Sequence, residues 1–123
     1  MLSFVDTHCH IHAAKRGRKD FTAKKWHESG EADPERLLKS AHKFGVDRLI
    51  CVGTDLKDTE DAINFAGEHE NTWASVGIHP HEAAKYSELP IAETEELIKK
   101  PKVVAIGEVG LDYYNEHSPK VDQ

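Results

Sequence analysis

The chain has 123 residues, with 16 Lys and Arg against 22 Asp and Glu, giving a formal net charge of -6. That length suits one small domain, and the acidic balance argues against a protein whose task is to coat nucleic acid, which needs a basic face. No apolar stretch approaches the roughly 20 residues needed to cross a bilayer, and the N-terminus lacks the cationic start and apolar core of a signal peptide, so a soluble, cytoplasmic chain without a membrane partner is expected.

The first element is a short apolar strand over 3–8 that runs into Val5-Asp6-Thr7-His8-Cys9-His10. Side chains alternate faces along a strand, so Asp6, His8 and His10 share one face and Thr7 and Cys9 the other. Two imidazoles on one face can grip a single divalent ion where the strand end opens into a cavity; imidazole suits Zn, Mn, Fe or Ni, and the pattern alone does not choose. An isolated His-x-His is more often a surface turn, and it is the apolar strand feeding directly into the pair that gives this one weight. Cys9, with Cys51 further on, falls in an apolar strand context and is expected reduced and buried.

Next comes the chain's one cationic cluster, Lys15, Arg16, Arg18, Lys19, Lys24 and Lys25, interleaved with Phe21, Trp26 and His27 and diluted by Asp20, Glu28 and Glu31. It reads equally as a local basic rim or as a solvated loop. A helix follows, with Asp33 as N-cap, Pro34 in its first turn, an apolar stripe of Leu37, Leu38, Ala41 and Phe44, and Gly45 at its end. A strand over 47–53 leads to a helix starting near Asp58 or Thr59 with Ala62, Ile63 and Ala66 inward. A strand over 72–78 ends in His79-Pro80-His81. A helix over 91–99, with Leu97 and Ile98 inward, stops before Pro101 and precedes a strand over 102–108.

Strand and helix in alternation mean parallel strands joined by right-handed crossovers, an α/β fold that is either an open doubly wound sheet or part of a closed barrel. His8 with His10, His79 with His81, and Glu108 with Asp112 all fall at the carboxyl ends of different strands, the arrangement of a barrel, whereas an open sheet gathers its groups at one switch point. By strand parity, Glu108 is expected to share a face with Val104 and Ile106, and His79 with Ser75 and Gly77. Glu108 sits between Gly107 and Gly110, which leave the backbone bare for close approach. Its two oxygens could bridge two ions about 3.5 to 4 Å apart, the geometry that clamps a phosphodiester.

Asp6-Thr7-His8-Cys9-His10, Val76-Gly77-Ile78-His79-Pro80-His81 and Ala105-Ile106-Gly107-Glu108-Val109-Gly110-Leu111-Asp112-Tyr113-Tyr114 resemble the three N-terminal motifs of the TatD family, metal-dependent deoxyribonucleases of the amidohydrolase superfamily. The match runs the length of the chain in the correct order. The resemblance implies a (β/α)8 barrel that binds two divalent cations (Mg, Mn or Zn) and cleaves phosphodiester bonds at the 3′ ends of DNA. It implies His8 and His10 as ligands of the first metal, Glu108 as the bridge, and His79, His81 and Asp112 at the substrate.

A full barrel needs about 250 residues. The later histidines, and the aspartate expected to activate water, would lie beyond Gln123. We therefore expect residues 1–123 to be one unit, the N-terminal half of a barrel without a second domain. Alone it should bind at most one metal weakly, turn over little substrate, and self-associate through its open strand edges. Two other readings are an amidohydrolase acting on C–N bonds or esters, including aminoacyl-RNA, and a non-catalytic metal-binding fragment. The first ranks lower because Lys99, Lys100 and Lys102 precede the fourth strand, leaving Glu108 at its end.

Overall fold

The computed structural model describes residues 2–17, 19–86 and 88–123. Four strands, β1 (Phe4–Cys9), β2 (Val46–Val52), β3 (Thr72–Val76) and β4 (Val103–Ile106), form one sheet in the order β1-β2-β3-β4. Every neighbouring pair is parallel. A doubly wound sheet reverses its strand order at a switch point; a barrel adds each strand beside the last. The unbroken order, with a helical crossover between each strand and the next, makes the chain the first four strands of a (β/α)8 barrel with the three crossovers that join them.

The crossovers carry α1 (Phe21–Glu28), α2 (Pro34–Lys43), α3 (Leu56–Glu68) and α4 (Ile91–Ile98), with 3-10 turns at Ile11–Lys15 and Pro80–Lys85. Asp33 caps α2 by accepting from Glu35 N, and Gly45, at φ 84°, ends it in a conformation that glycine adopts at no steric cost. α3 begins at Leu56, three residues before the later of its two expected starts, because the Asp55 carboxylate accepts from Asp58 N at 2.7 Å and so takes the cap position. α1 falls inside the cationic cluster, where a basic rim or a solvated loop was expected. Asp20 caps it through Ala23 N at 2.8 Å, and half-buried Trp26 ties it down by donating from Nε1 to His10 O at 3.0 Å.

The core lies between the sheet and the helices: Ile11, Cys51, Ala62, Phe65, Ala66 and Ala74 are buried together, with Cys9, Trp26, Leu37, Leu38 and Ile63 packed around them. Several residues assigned to the interior by periodicity are instead at the surface. Phe44 is 76% exposed, Ile98 37%, and Phe4 and Val5 of β1 52% and 45%, while Cys9 is only partly buried. The strand residues are exposed because β1 and β4 are free edges. The sheet's other face carries His8, Ile50, Val52, Ser75 and Ala105 around an open hollow of about 320 Å³. The accessible surface of 7989 Å² for 13.8 kDa is about a fifth larger than the roughly 6,600 Å² of a compact monomer of that mass.

One polar knot holds the crossovers to the strand ends. Asp58, 6% exposed, accepts from Thr54 N and Thr54 Oγ1 at 2.9 Å each, faces His12 Nε2 at 3.0 Å, and is gripped by the Arg16 guanidinium. Arg16 also pairs with Asp61 at 2.9 Å and Asp20 at 3.3 Å, joining the loop after β1, the cap of α1 and the first turns of α3. Burial alone would raise the Asp58 carboxyl, but His12 and Arg16 outweigh it and hold it well below the usual range. A carboxyl depressed by folding stabilises fully above its unfolded value near 3.9 and loses that contribution as pH falls below it. Asp58→Ala, which removes the acceptor shared by Thr54, His12 and Arg16 while Arg16 keeps Asp61 and Asp20, is expected to cost about 1–3 kcal/mol in urea unfolding at pH 7, and the gap from wild type should shrink below about pH 4. An equal gap at pH 3 and pH 7 would show that the charge does not carry the effect.

Candidate functional site

β1 delivers His8 and His10 to the same side at its carboxyl end, their rings 5.3 Å apart. A carbonyl only accepts, so the 3.0 Å contact between His10 Nδ1 and Val52 O puts the ring proton on Nδ1 and leaves Nε2 a free lone pair. That is the tautomer of a metal-ligating histidine whose ring is held by a backbone carbonyl. Burial, helped by the nearby His12, lowers the His10 pKa and favours the neutral ring that a ligand requires. His8 is more open, its side chain 55% exposed.

Glu108 completes the group. Its Oε2 lies 3.4 Å from His8 Nε2 and its Oε1 3.5 Å from His79 Nε2. One donor atom from each of His8, His10 and Glu108 falls within 4.8 Å of the others. Two imidazole nitrogens and one carboxylate, half-open to a cleft, make a donor set that fits a divalent cation.

The route by which Glu108 arrives differs from the parity expectation. β4 pairs Ala105 with Ser75 and Ile106 with Val76, and Ser75 lies on the His8 side while Val76 lies on the other. Continued alternation would therefore carry Glu108 with Ile106 away from the histidines. β4 stops at Ile106, and Gly107, at φ 153°, turns the chain in a region essentially closed to other residues. The turn is fixed by Gly107 N donating to Val76 O (2.8 Å), Glu108 N to Gly53 O (3.2 Å) and Ser75 Oγ to Gly107 O (2.6 Å). It packs so closely on β3 that a Cβ on Gly77 would lie 2.5 Å from Gly107 C and 2.7 Å from Glu108 N and O.

His79 and His81 come from the 3-10 turn after β3, with rings 4.4 Å apart. His79 N donates to Thr54 O (2.7 Å), and His79 Nδ1 accepts from His81 N (3.1 Å), which turns Nε2 toward Glu108. His81 Nε2 meets Asp112 Oδ2 at 2.6 Å. Asp112 in turn accepts from Asn115 N and Nδ2 and from Tyr114 N, and these bonds, with His81, hold its carboxyl well below the usual range. Gln123 clasps the Asp112 backbone from both sides, and Ser118, fully buried, bridges Ala84 N and His81 O. The structure thus gathers His8, His10, His79 and Glu108 into one set and places His81 with Asp112 beside it, all but His8 and Asp112 on a cleft of about 640 Å³.

Sequence reasoning missed His12 and Asp58. His12 extends the His-x-His spacing by one more step, but the chain leaves the strand at His10, so His12 turns inward beneath the site. With His10 and Asp58 it forms a second group of donors within 4.8 Å. Both oxygens of Asp58 are already engaged by Thr54, His12 and Arg16, so this group reads as bracing for His10.

Comparison with known proteins places these features in a family. The family model described as TatD related DNase matches residues 5–123. The chain is 34% identical over 91 residues to the 3'-5' ssDNA/RNA exonuclease TatD of Cronobacter turicensis, covering 74% of this chain and 35% of that protein. It is 34% identical over 115 residues to the uncharacterized metal-dependent hydrolase YabD of Bacillus subtilis, covering 94% and 40%. A solved TatD family hydrolase from Entamoeba histolytica superposes with a TM-score of 0.70 at 28% identity, over 91% of this chain and 38% of that one. The TatD homologue YJJV of Escherichia coli gives a TM-score of 0.72 at 24% identity, covering 97% and 42%, which speaks for the fold alone. The chain spans between a third and two fifths of the length of these curated relatives.

The closeness of Gly77 to the Glu108 turn yields a test. Gly77→Ala should force the turn outward and weaken Mn(II) binding, followed by electron paramagnetic resonance, at least about 10-fold, since displacements near 1 Å carry such penalties. Affinity unchanged within twofold, with a normal circular dichroism spectrum, would mean that the contact does not position Glu108.

Proposed function

The chain belongs to the TatD family, and from that membership we propose that it contributes the first-metal ligands and the bridging carboxylate of a metal-dependent nuclease that removes nucleotides from the 3′ ends of single-stranded DNA or RNA. The observation that carries the reading is the convergence of His8, His10 and Glu108 within 4.8 Å at the ends of β1 and β4. The exonuclease activity printed for the Cronobacter relative supports the substrate class.

Divalent cations bound there, two in the complete enzyme, would polarise a phosphate oxygen and lower the pKa of an attacking water. His8 and His10 would hold the first ion, with the Val52 carbonyl keeping His10 in its ligating tautomer. Glu108, with His79 Nε2 3.5 Å from its carboxylate, would help to hold the ions. His81, held against Asp112, would present its ring to the scissile phosphate.

Four strands enclose half of a barrel, so we further propose that residues 1–123 on their own bind at most one ion weakly and turn over little substrate. The exposed edge residues Phe4, Val5, Val104 and Ile106 support self-association or capture of further strands. With Mg(II) or Mn(II) and a 5′-labelled single-stranded oligonucleotide, release of 3′ nucleotides should be slow and fall at least about 100-fold in Glu108→Gln, and calorimetric metal binding should disappear in the same variant. Light scattering should report particles larger than one chain. Digestion or metal binding that survives Glu108→Gln unchanged would remove Glu108 from the site.

A further inference from the structure

The cations closest to the floor of the cleft are already committed. Arg16 is paired with Asp20, Asp58 and Asp61, Lys57 with Asp61 at 2.5 Å, and Lys85 with Asp55 at 2.7 Å and with Glu82. A polyanionic strand entering the cleft finds its phosphate contacts elsewhere. The rim supplies them at α1, the helix formed by the cationic segment.

At the start of α1, Phe21 and Thr22 line the same cleft as His10, His79 and Glu108. Phe21 is 75% exposed, so its ring face is open to solvent at the edge of the cleft. Lys25 Nζ stands 5.5 Å from the ring centroid. Lys24 and Lys25 make only long contacts with Glu28, at 3.6 and 3.8 Å, and their side chains are 59% and 64% exposed, so a phosphate could take them over at little cost. α1 is joined to the site through Trp26, whose Nε1 holds the carbonyl of His10, and through its cap Asp20, held by Arg16.

We infer that Phe21 is a stacking platform for a base of a single-stranded nucleic acid at the mouth of the cleft, with Lys24 and Lys25 receiving the flanking phosphates. The inference rests on the nuclease reading for the class of ligand. An aromatic ring with lysines beside it, on the edge of a catalytic cleft, suits an unpaired strand because every base has a π face and every linkage a phosphate. A stacked duplex keeps its base faces covered and leaves only the lysines to engage.

The test is fluorescence anisotropy with a 5′-fluorescein dT12 in EDTA, so that binding is read without turnover. Phe21→Ala should weaken binding at least about fivefold, the lower end of one lost base–aromatic stack, and Phe21→Tyr and Phe21→Trp should restore it. An abasic 12-mer should bind the wild type as poorly as dT12 binds Phe21→Ala, and Phe21→Ala should no longer distinguish the two probes. Lys24→Ala with Lys25→Ala should flatten the salt dependence by about 1.4 in log–log slope, at about 0.7 per phosphate released. Unchanged affinity in Phe21→Ala, or continued discrimination against the abasic probe by that variant, overturns the platform. Circular dichroism confirms that each variant folds. Binding through Phe21 together with metal binding that survives Glu108→Gln unchanged would keep the platform and sink the reading of the metal site on which the nuclease proposal stands. Nucleotide release whose KM ignores Phe21→Ala would do the reverse.

Discussion

No side chain fits between the end of β3 and the turn after β4. The Gly77 Cα sits against the Gly107–Glu108 backbone, where a Cβ would come within 2.5 Å of Gly107 C, and that contact decides where the Glu108 carboxylate lies. Strand alternation left to itself would carry Glu108 to the helix side of the sheet with Ile106. The pair of glycines converts a regular strand end into a bend that returns the carboxylate to His8 and His79. Two bare positions on adjacent strands thus do what no rotamer change could, since they move backbone.

Behind the histidines, the Asp58 knot plays the complementary part. It is a buried carboxylate with every acceptor position used, and it locks the loop after β1 to α3 and, through Arg16 and Asp20, to α1. The ligand face is open and half-solvated while its support is closed and charge-neutralised. Such a division suits a site that must bind and release ions and substrate without letting its ligands drift. The same knot engages the Arg16 guanidinium, while at the rim Lys24 and Lys25 of α1 are only loosely paired with Glu28.

The half-barrel geometry explains why burial follows periodicity on the inner strands and fails at the edges. Cys51 and Ala74, on β2 and β3, are fully buried, whereas Phe4, Val5, Val104 and Ile106 on the outer strands stand open. Their apolar character is that of strands flanked on both sides; here each has one neighbour. The surplus accessible surface is the same fact expressed as area.

Much of this was legible in the residues. Four apolar runs, a capped helix at Asp33-Pro34, and histidines and an acid at the ends of the first, third and fourth strands were enough to name parallel βα units, a barrel, and the group His8, His10 and Glu108. These signals are local, and local periodicity and capping are properties a sequence carries by itself. What it could not carry were the relations between segments distant along the chain: that Val52 O selects the His10 tautomer, that Asp58 receives His12 and Arg16, that the basic segment coils into a helix pinned by Trp26, and that Glu108 reaches its partners against the parity of its own strand. Each depends on the separation of backbones brought together only by the sheet, and tertiary packing alone sets those distances.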